Sequence, residues 1–278
     1  RPGHVEFGMG GRHRPAELRG HPGAQRPPAH HLALHAEHPQ QPRRHGVDAL
    51  VALAGRVHEL LLQPRLVLGE FGIEPELVEE RAFERRHEFL VMNPAGTTPV
   101  FVEEQVGAVP GAMTIAEYLD ETRGLALGAR RLLPPDPKGR VEVRRLTDWF
   151  NGKMHAEVTG YLVTEKIFKR FMPTEMGGGA PDMAAIRAAR ANIRYHLHYI
   201  GWLLQARNWI AGDRLSYADL AAAAHISCAD SLGDVPWDED EMAKNWYARI
   251  KSRPSFRPLL AVTMAGMPPA ATYADLDF

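Results

Sequence analysis

The chain holds one cysteine, Cys228. That excludes an internal disulfide framework and fits a reducing compartment. No apolar run reaches the roughly 18–20 residues of a membrane span, so no direct membrane insertion is expected. Charge of one sign is lacking too: 33 Lys and Arg oppose 34 Asp and Glu, for a net charge of -1. No global basic field exists to hold a nucleic acid, and no acidic tail is present. The N-terminal stretch has no apolar h-region, so no secretory signal is read and a cytoplasmic location is expected. Ser, Thr, Tyr and Cys are all missing ahead of Thr97. The leading part of the chain thus offers no side-chain hydroxyl or thiol for polarising or attacking chemistry.

What is there divides along the chain. Residues 1–46 are dominated by Arg, Pro, His, Gly and Ala without helical or strand period. Disorder is expected there, and the composition suits a non-native leader or an out-of-frame translation. His30, His31, His35 and His38 cluster, but neighbouring prolines prevent a helix, so solvated histidines are the plainer reading and no metal is expected. From 47 to 132 short elements alternate. A strand is predicted over 47–53, a helix over 60–71 closed by Gly72, and a strand over 76–79. A helix over 82–92 follows, then a turn-rich loop from Asn93 to Pro99, a strand from Val100 and a helix opening at Gly111. This predicts a small mixed α/β domain whose first strand is the least defined element.

A proline-rich linker spans 133–139, and residues 140–260 read as all-helical. One long helix is expected over 141–171, with Trp149, Phe150, Met154, Val158 and Leu162 as its apolar stripe. Further helices are expected from Ile186 to Trp209 and around Met242, Trp246 and Ile250. Between them, Ser216 and Asp219 have the spacing of a capping box, with Leu215 and Leu220 as its staple. Ala221 to Ala224 then make a thin helix without a polar stripe, which other helices must surround. The tail, 261–278, ends in Tyr273, Leu276 and Phe278.

An α/β unit, a Pro-rich linker and an all-helical half resemble the glutathione transferase fold: a thioredoxin-like N-terminal domain and a helical C-terminal domain. Asn93 to Val100 looks like the loop ending in the family's cis-proline. Ala116 to Leu119 looks like the helix after its glutathione-binding turn, and Gly212 to Asp219 like its capping box. A narrower resemblance is carried by Gly179 to Asp182, Ala221 to Ser227, Gly233 to Trp237, Lys251 to Ala261 and Tyr273 to Phe278. These segments are similar to the bacterial cell-division members of this family. That resemblance implies a homodimer that binds filaments of the tubulin-like protein FtsZ at the division site, promotes constriction, and is not a transferase.

The resemblance also locates a degenerate glutathione site. It sets Leu60 and Leu61 near the family's catalytic position, where neither can polarise a sulfur. It sets Gly111 and Ala112 where the family usually carries Glu-Ser to hold a carboxylate at a helix start. What remains is the backbone around Thr98 and Pro99, which can pair with an extended ligand. No catalytic residue and no cofactor are therefore expected; the alternative is a transferase taking glutathione as substrate. For a protein partner, Phe83, Arg85 and Arg86 pair an aromatic with cations, as interface anchors do, although a core Phe beside solvated arginines fits equally well. Tyr273, Leu276 and Phe278 either hold a partner or fold back on the helical half. Cys228 and His225 are read as buried core groups, and His196 and His198 as pointing to different faces.

Overall fold

The computed structural model describes residues 49–54, 59–80, 84–261 and 267–275, with side chains from residue 62 onward. The expected disordered leader, the His30–His38 cluster, Phe83, Leu276 and Phe278 lie outside the described residues.

A four-stranded sheet has the order β2-β1-β3-β4, from β1 (Ala49–Ala54), β2 (Glu76–Glu80), β3 (Val100–Glu103) and β4 (Gly107–Pro110). β1 runs parallel to β2 and antiparallel to β3, with Val51 opposite Leu77 on one side and Phe101 on the other. A parallel pair needs a crossover, and α1 (Glu59–Glu70) supplies it. Gly72 ends that crossover at φ +70°, a left-handed turn that suits glycine. The helix expected from Ala82 is shorter: α2 is His87–Met92, entered from Arg86 in extended backbone. α3 (Ala112–Arg123) completes the α/β half.

The helical half begins inside the expected linker. Asp136 accepts from the Gly139 N–H at 2.7 Å and Pro137 stands in the first turn, so α4 (Pro137–Asp148) starts there. The long helix expected over 141–171 is three pieces: α4, a π-helical stretch over Trp149–Thr159 and α5 (Gly160–Lys166). The stripe within it holds, with Phe150, Met154, Val158 and Leu162 fully buried and Trp149 only partly so. α6 (Met183–Leu204) starts at an Asp182 cap and stops short of Trp209. In α8 (Glu241–Lys251) the inward residues are Ala243, Trp246, Tyr247 and Ile250, whereas Met242 points outward.

α7 (Tyr217–Ser231) is the spine, with every one of its 15 residues buried. Ser216 and Asp219 form the expected capping box. Asp219 does more than cap: its carboxylate accepts from Ile210 N–H and Trp246 Nε1–H, both at 3.0 Å, and from Ser216 N–H at 2.9 Å. One core runs through both halves, from Leu66, Phe101 and Ile115 to Ile193, Ala223 and Trp246. Where α1 meets the helical half, a Cβ on Gly69 would come within 2.9 Å of the Ser255 Cβ. One residue later Glu70 accepts both guanidinium bonds of Arg253 at 2.7 Å and the Ser255 hydroxyl at 2.5 Å.

Candidate functional site

The loop before β3 is shaped by Asn93. Its buried side chain donates to the Thr97 carbonyl at 2.6 Å and accepts from Ala95 N–H at 3.2 Å. This folds the loop over itself and delivers Thr98 to β3, and the Thr98–Pro99 peptide is cis. Gly111 N–H donates to the Pro99 carbonyl at 2.9 Å, which ties the start of α3 to the proline shelf. Thr98, Pro99, Gly111 and Ala112 thus converge at one end of the sheet.

The cradle they make is poor in polar side chains. Gly111 caps α3 with no side-chain bond to the first turn. Its φ is +92°, and a Cβ there would meet only the Thr114 hydroxyl, at 3.6 Å. Space is available; the backbone conformation is what disfavours a side chain. The first turn of α3 carries no acid, so its free N–H groups could still attract an anion, but Ala112 has no hydroxyl to fix one. Leu60 and Leu61 lie in the first turn of α1, and their side chains fall outside the described ones.

Sequence reasoning missed a polar chain behind α1. Gln63, buried inside the first two turns, accepts from Asn151 Nδ2 at 2.8 Å, and its own amide nitrogen has no partner among the described residues. Asn151 Oδ1 faces His225 Nε2 at 3.3 Å, and His225 Nδ1 meets the Thr159 hydroxyl at 2.9 Å. Asn151 and Thr159 both come from the π-helical stretch, whose wider turn re-aims side chains. The polar Asn151-Gly152 pair inside the apolar stripe was the available signal. Among the described residues no group of three or more His, Cys, Asp or Glu is placed to hold a metal. His196 is buried, with Nδ1 accepting from Trp149 Nε1–H at 3.3 Å, while His198 is exposed. Burial pushes the His196 ring below the ordinary histidine range, so it stays neutral.

The partner candidates separate. Arg85 is exposed at φ +48°, its guanidinium near Gly96. Arg86 is half-exposed and spends its charge on the buried Glu80 carboxylate. Tyr273 is buried, and its hydroxyl lies 2.6 Å from the Ser227 hydroxyl on α7. Its ring also covers the Lys251 ammonium at 5.4 Å, and Ala270 N–H donates to the Ser231 carbonyl at 2.9 Å. The tail to Asp275 therefore folds back, closing over a buried Lys251–Asp230 pair at 3.3 Å.

Residues 48–121 match the family model described as glutathione S-transferase, N-terminal domain, and residues 169–254 match glutathione S-transferase, C-terminal domain. The chain belongs to the glutathione S-transferase family. It is 45% identical over 219 residues to FtsZ-localized protein A of Caulobacter vibrioides, covering 78% of this chain and 92% of that protein. A solved structure described as FzlA from C. crescentus is 43% identical with a TM-score of 0.75, covering 84% of this chain and all of that one. Another, described as a glutathione S-transferase from Sinorhizobium meliloti 1021, is 51% identical with a TM-score of 0.79, covering 83% of this chain and all of that one. Both family domains lie within the unit sharing one core, and among the described residues no helix is long and apolar enough to cross a membrane.

Proposed function

We propose that this chain is a non-enzymatic, homodimeric division factor that binds FtsZ filaments at the cytoplasmic face of the division site, cross-links or curves them, and so promotes constriction. The observation that carries this reading is the 45% identity to a protein named for FtsZ localisation, extending over 92% of that protein. The cradle at Gly111 and Ala112 supports it. Each missing polar partner costs about 1–3 kcal/mol, and about 1.4 kcal/mol is tenfold in affinity. Two such losses, about 2–6 kcal/mol together, weaken glutathione by at least roughly thirtyfold. A two-fold dimer offers two equal patches, which is what bridging or bending a filament requires. Arg85, exposed beside the α2 entrance, and Arg86 next to it are the described residues assigned to that patch.

A transferase is the second reading, favoured by the 51% identity to the structure described as a glutathione S-transferase. Co-sedimentation with assembled FtsZ at micromolar protein separates the two. The chain is expected in the pellet, and retention in the supernatant defeats the division reading. Turnover of glutathione with an electrophile would establish the transferase. The variant R85A is expected to reduce pelleting several-fold with an unchanged circular dichroism melt; undiminished pelleting removes Arg85 from the patch.

A further inference from the structure

We infer that the loop joining α5 to α6 is a membrane-surface contact: Phe171, Met176 and Met183 enter the headgroup boundary of an anionic lipid layer, and the cations around them meet its phosphates, with no part of the chain crossing. The loop, over 169–179, is compact and closed on itself. Phe171 and Met172 N–H donate to the Phe168 carbonyl, Met176 and Gly178 N–H to Pro173, and Gly177 N–H to Thr174. Gly179 N–H then closes the loop on the Lys169 carbonyl, and all these bonds measure 2.9–3.1 Å. A Cβ on Gly178 would lie 1.8 Å from the Met172 carbonyl oxygen, so this closure requires glycine. Glu165 fastens both ends: its carboxylate accepts from the Lys169 ammonium and from Asp182 N–H, each at 2.6 Å.

A loop held this firmly still keeps apolar side chains in water. Phe171 is 61%, Met176 53% and Met183 52% exposed. No residue from Arg170 to Ala185 is buried, so the segment projects from the bundle and forms no groove. A helix or strand would need a groove or a sheet edge; a projection suits a surface that yields. The internal bonds favour the same occupant. Backbone that enters lipid must satisfy its own N–H groups, because hydrocarbon offers no acceptor.

Charge names the kind of lipid. Lys166, Lys169, Arg170, Arg187 and Arg190 stand within 166–190 against two acids, Glu175 and Asp182. Asp182 spends its carboxylate on the Ala184 and Ala185 N–H groups at the start of α6. The acids that pair with the cations lie beneath them: the Asp234 side chain is fully buried under Lys166 and Arg190, and Glu165 is buried beside Lys169. Arg170 and Arg187 are exposed, and the Arg190 side chain is half-exposed. The outward face is thus positive, opposed by Glu175. Each cation near an anionic surface adds roughly fivefold to partitioning, and each half-exposed Phe or Met about as much. Such adsorption is reversible and falls short of a lipidated anchor, so it is read at millimolar lipid.

The test uses the full chain and sedimentation with vesicles. The native chain is expected to pellet with equal parts phosphatidylglycerol and phosphatidylcholine, and to stay in the supernatant with phosphatidylcholine alone. F171E/M176E is expected to lose at least roughly tenfold in partitioning, with an unchanged thermal melt because both side chains are exposed. Cys228 is buried, so M176C takes a polarity-sensitive fluorophore selectively. Its emission should shift to the blue on the anionic vesicles, while the same label on E104C, exposed in the β3–β4 turn, should not shift. A native chain that ignores anionic vesicles, equal pelleting on the neutral ones, undiminished pelleting of F171E/M176E, or a silent label at 176 each overturns the inference. If F171E/M176E keeps its vesicle binding but loses FtsZ pelleting or changes mass in sedimentation equilibrium, the loop faces a protein and the inference falls. It does not rest on FtsZ: a chain that pellets with FtsZ and ignores vesicles keeps the division reading and ends this one, and the opposite result does the reverse.

Discussion

Removing the Asp219 carboxylate tests whether α7 is held by its cap or merely by its alanines. In Asp219→Ala four donors lose their acceptor: Ile210 N–H and Trp246 Nε1–H at 3.0 Å, Ser216 N–H at 2.9 Å and the Ser216 hydroxyl at 2.7 Å. Each sits in a buried setting that water reaches poorly, and an orphaned buried donor costs about 1–3 kcal/mol. The three N–H donors, which cannot turn away as a hydroxyl can, give about 3 kcal/mol at the low end, with the lost cap, worth about 1 kcal/mol, included in that total. Burial of the carboxyl offsets part of this, because it pushes Asp219 above the ordinary aspartate range despite its donors. Asp219→Asn, neutral and still carrying one acceptor oxygen, is therefore expected to lose only about 1–2 kcal/mol. Urea unfolding gives both values. For a chain of this size about 3 kcal/mol corresponds to roughly 6–12 °C in melting temperature. An Ala variant within about 1 kcal/mol of the native chain, or an Asn variant worse than the Ala, would refute the reasoning.

Three other perturbations follow from the same structure. Burial raises the Glu70 carboxyl, but the bonds from Arg253 and Ser255 and the Arg253 charge outweigh it and hold Glu70 below its ordinary 4.5. Its contribution is therefore present above that value and is lost as pH falls through the lower folded value. Glu70→Gln should cost about 1–3 kcal/mol at pH 7, and the gap to the native chain should close in acid melts. Tyr273→Phe removes the 2.6 Å bond to Ser227 while keeping the ring over Lys251. It should cost about 1 kcal/mol in denaturant unfolding, and a neutral result would mean the tail is not fastened there. Ala112→Ser returns a hydroxyl to the first turn of α3, and calorimetry should show glutathione binding strengthened about two- to tenfold; no gain would mean that Ala112 does not face the ligand.

Much of the fold was legible because its signals are local. The Ser216–Asp219 spacing and the unbroken alanines each specify their own geometry within a few residues, whereas the cis Thr98–Pro99 peptide was legible only through the family resemblance. What escaped depends on distant neighbours. Beyond the polar Asn151-Gly152 pair, nothing within Val141–Phe171 points to the π-helical Trp149–Thr159, whose polar partners, Gln63 on α1 and His225 on α7, come from elsewhere in the chain. Tyr273 stood open between a partner and its own helical half, because an apolar tail reads alike in both; Ser227 and Lys251, from elsewhere in the chain, hold it on α7. The lack of polar side chains at Gly111 and Ala112 was readable from residue type alone. The left-handed backbone that disfavours any replacement at Gly111 was not.

The fully enclosed α7 also sets where variation can accumulate. Any enlargement along it presses on neighbours from several elements at once, so the interior is effectively frozen. Exposed positions on outer faces, such as Ala184, Ala188 and Ala191 of α6, bear no such pressure. A lineage can keep the frozen axis, rewrite those outer faces, and exchange one trade for another without learning to fold again.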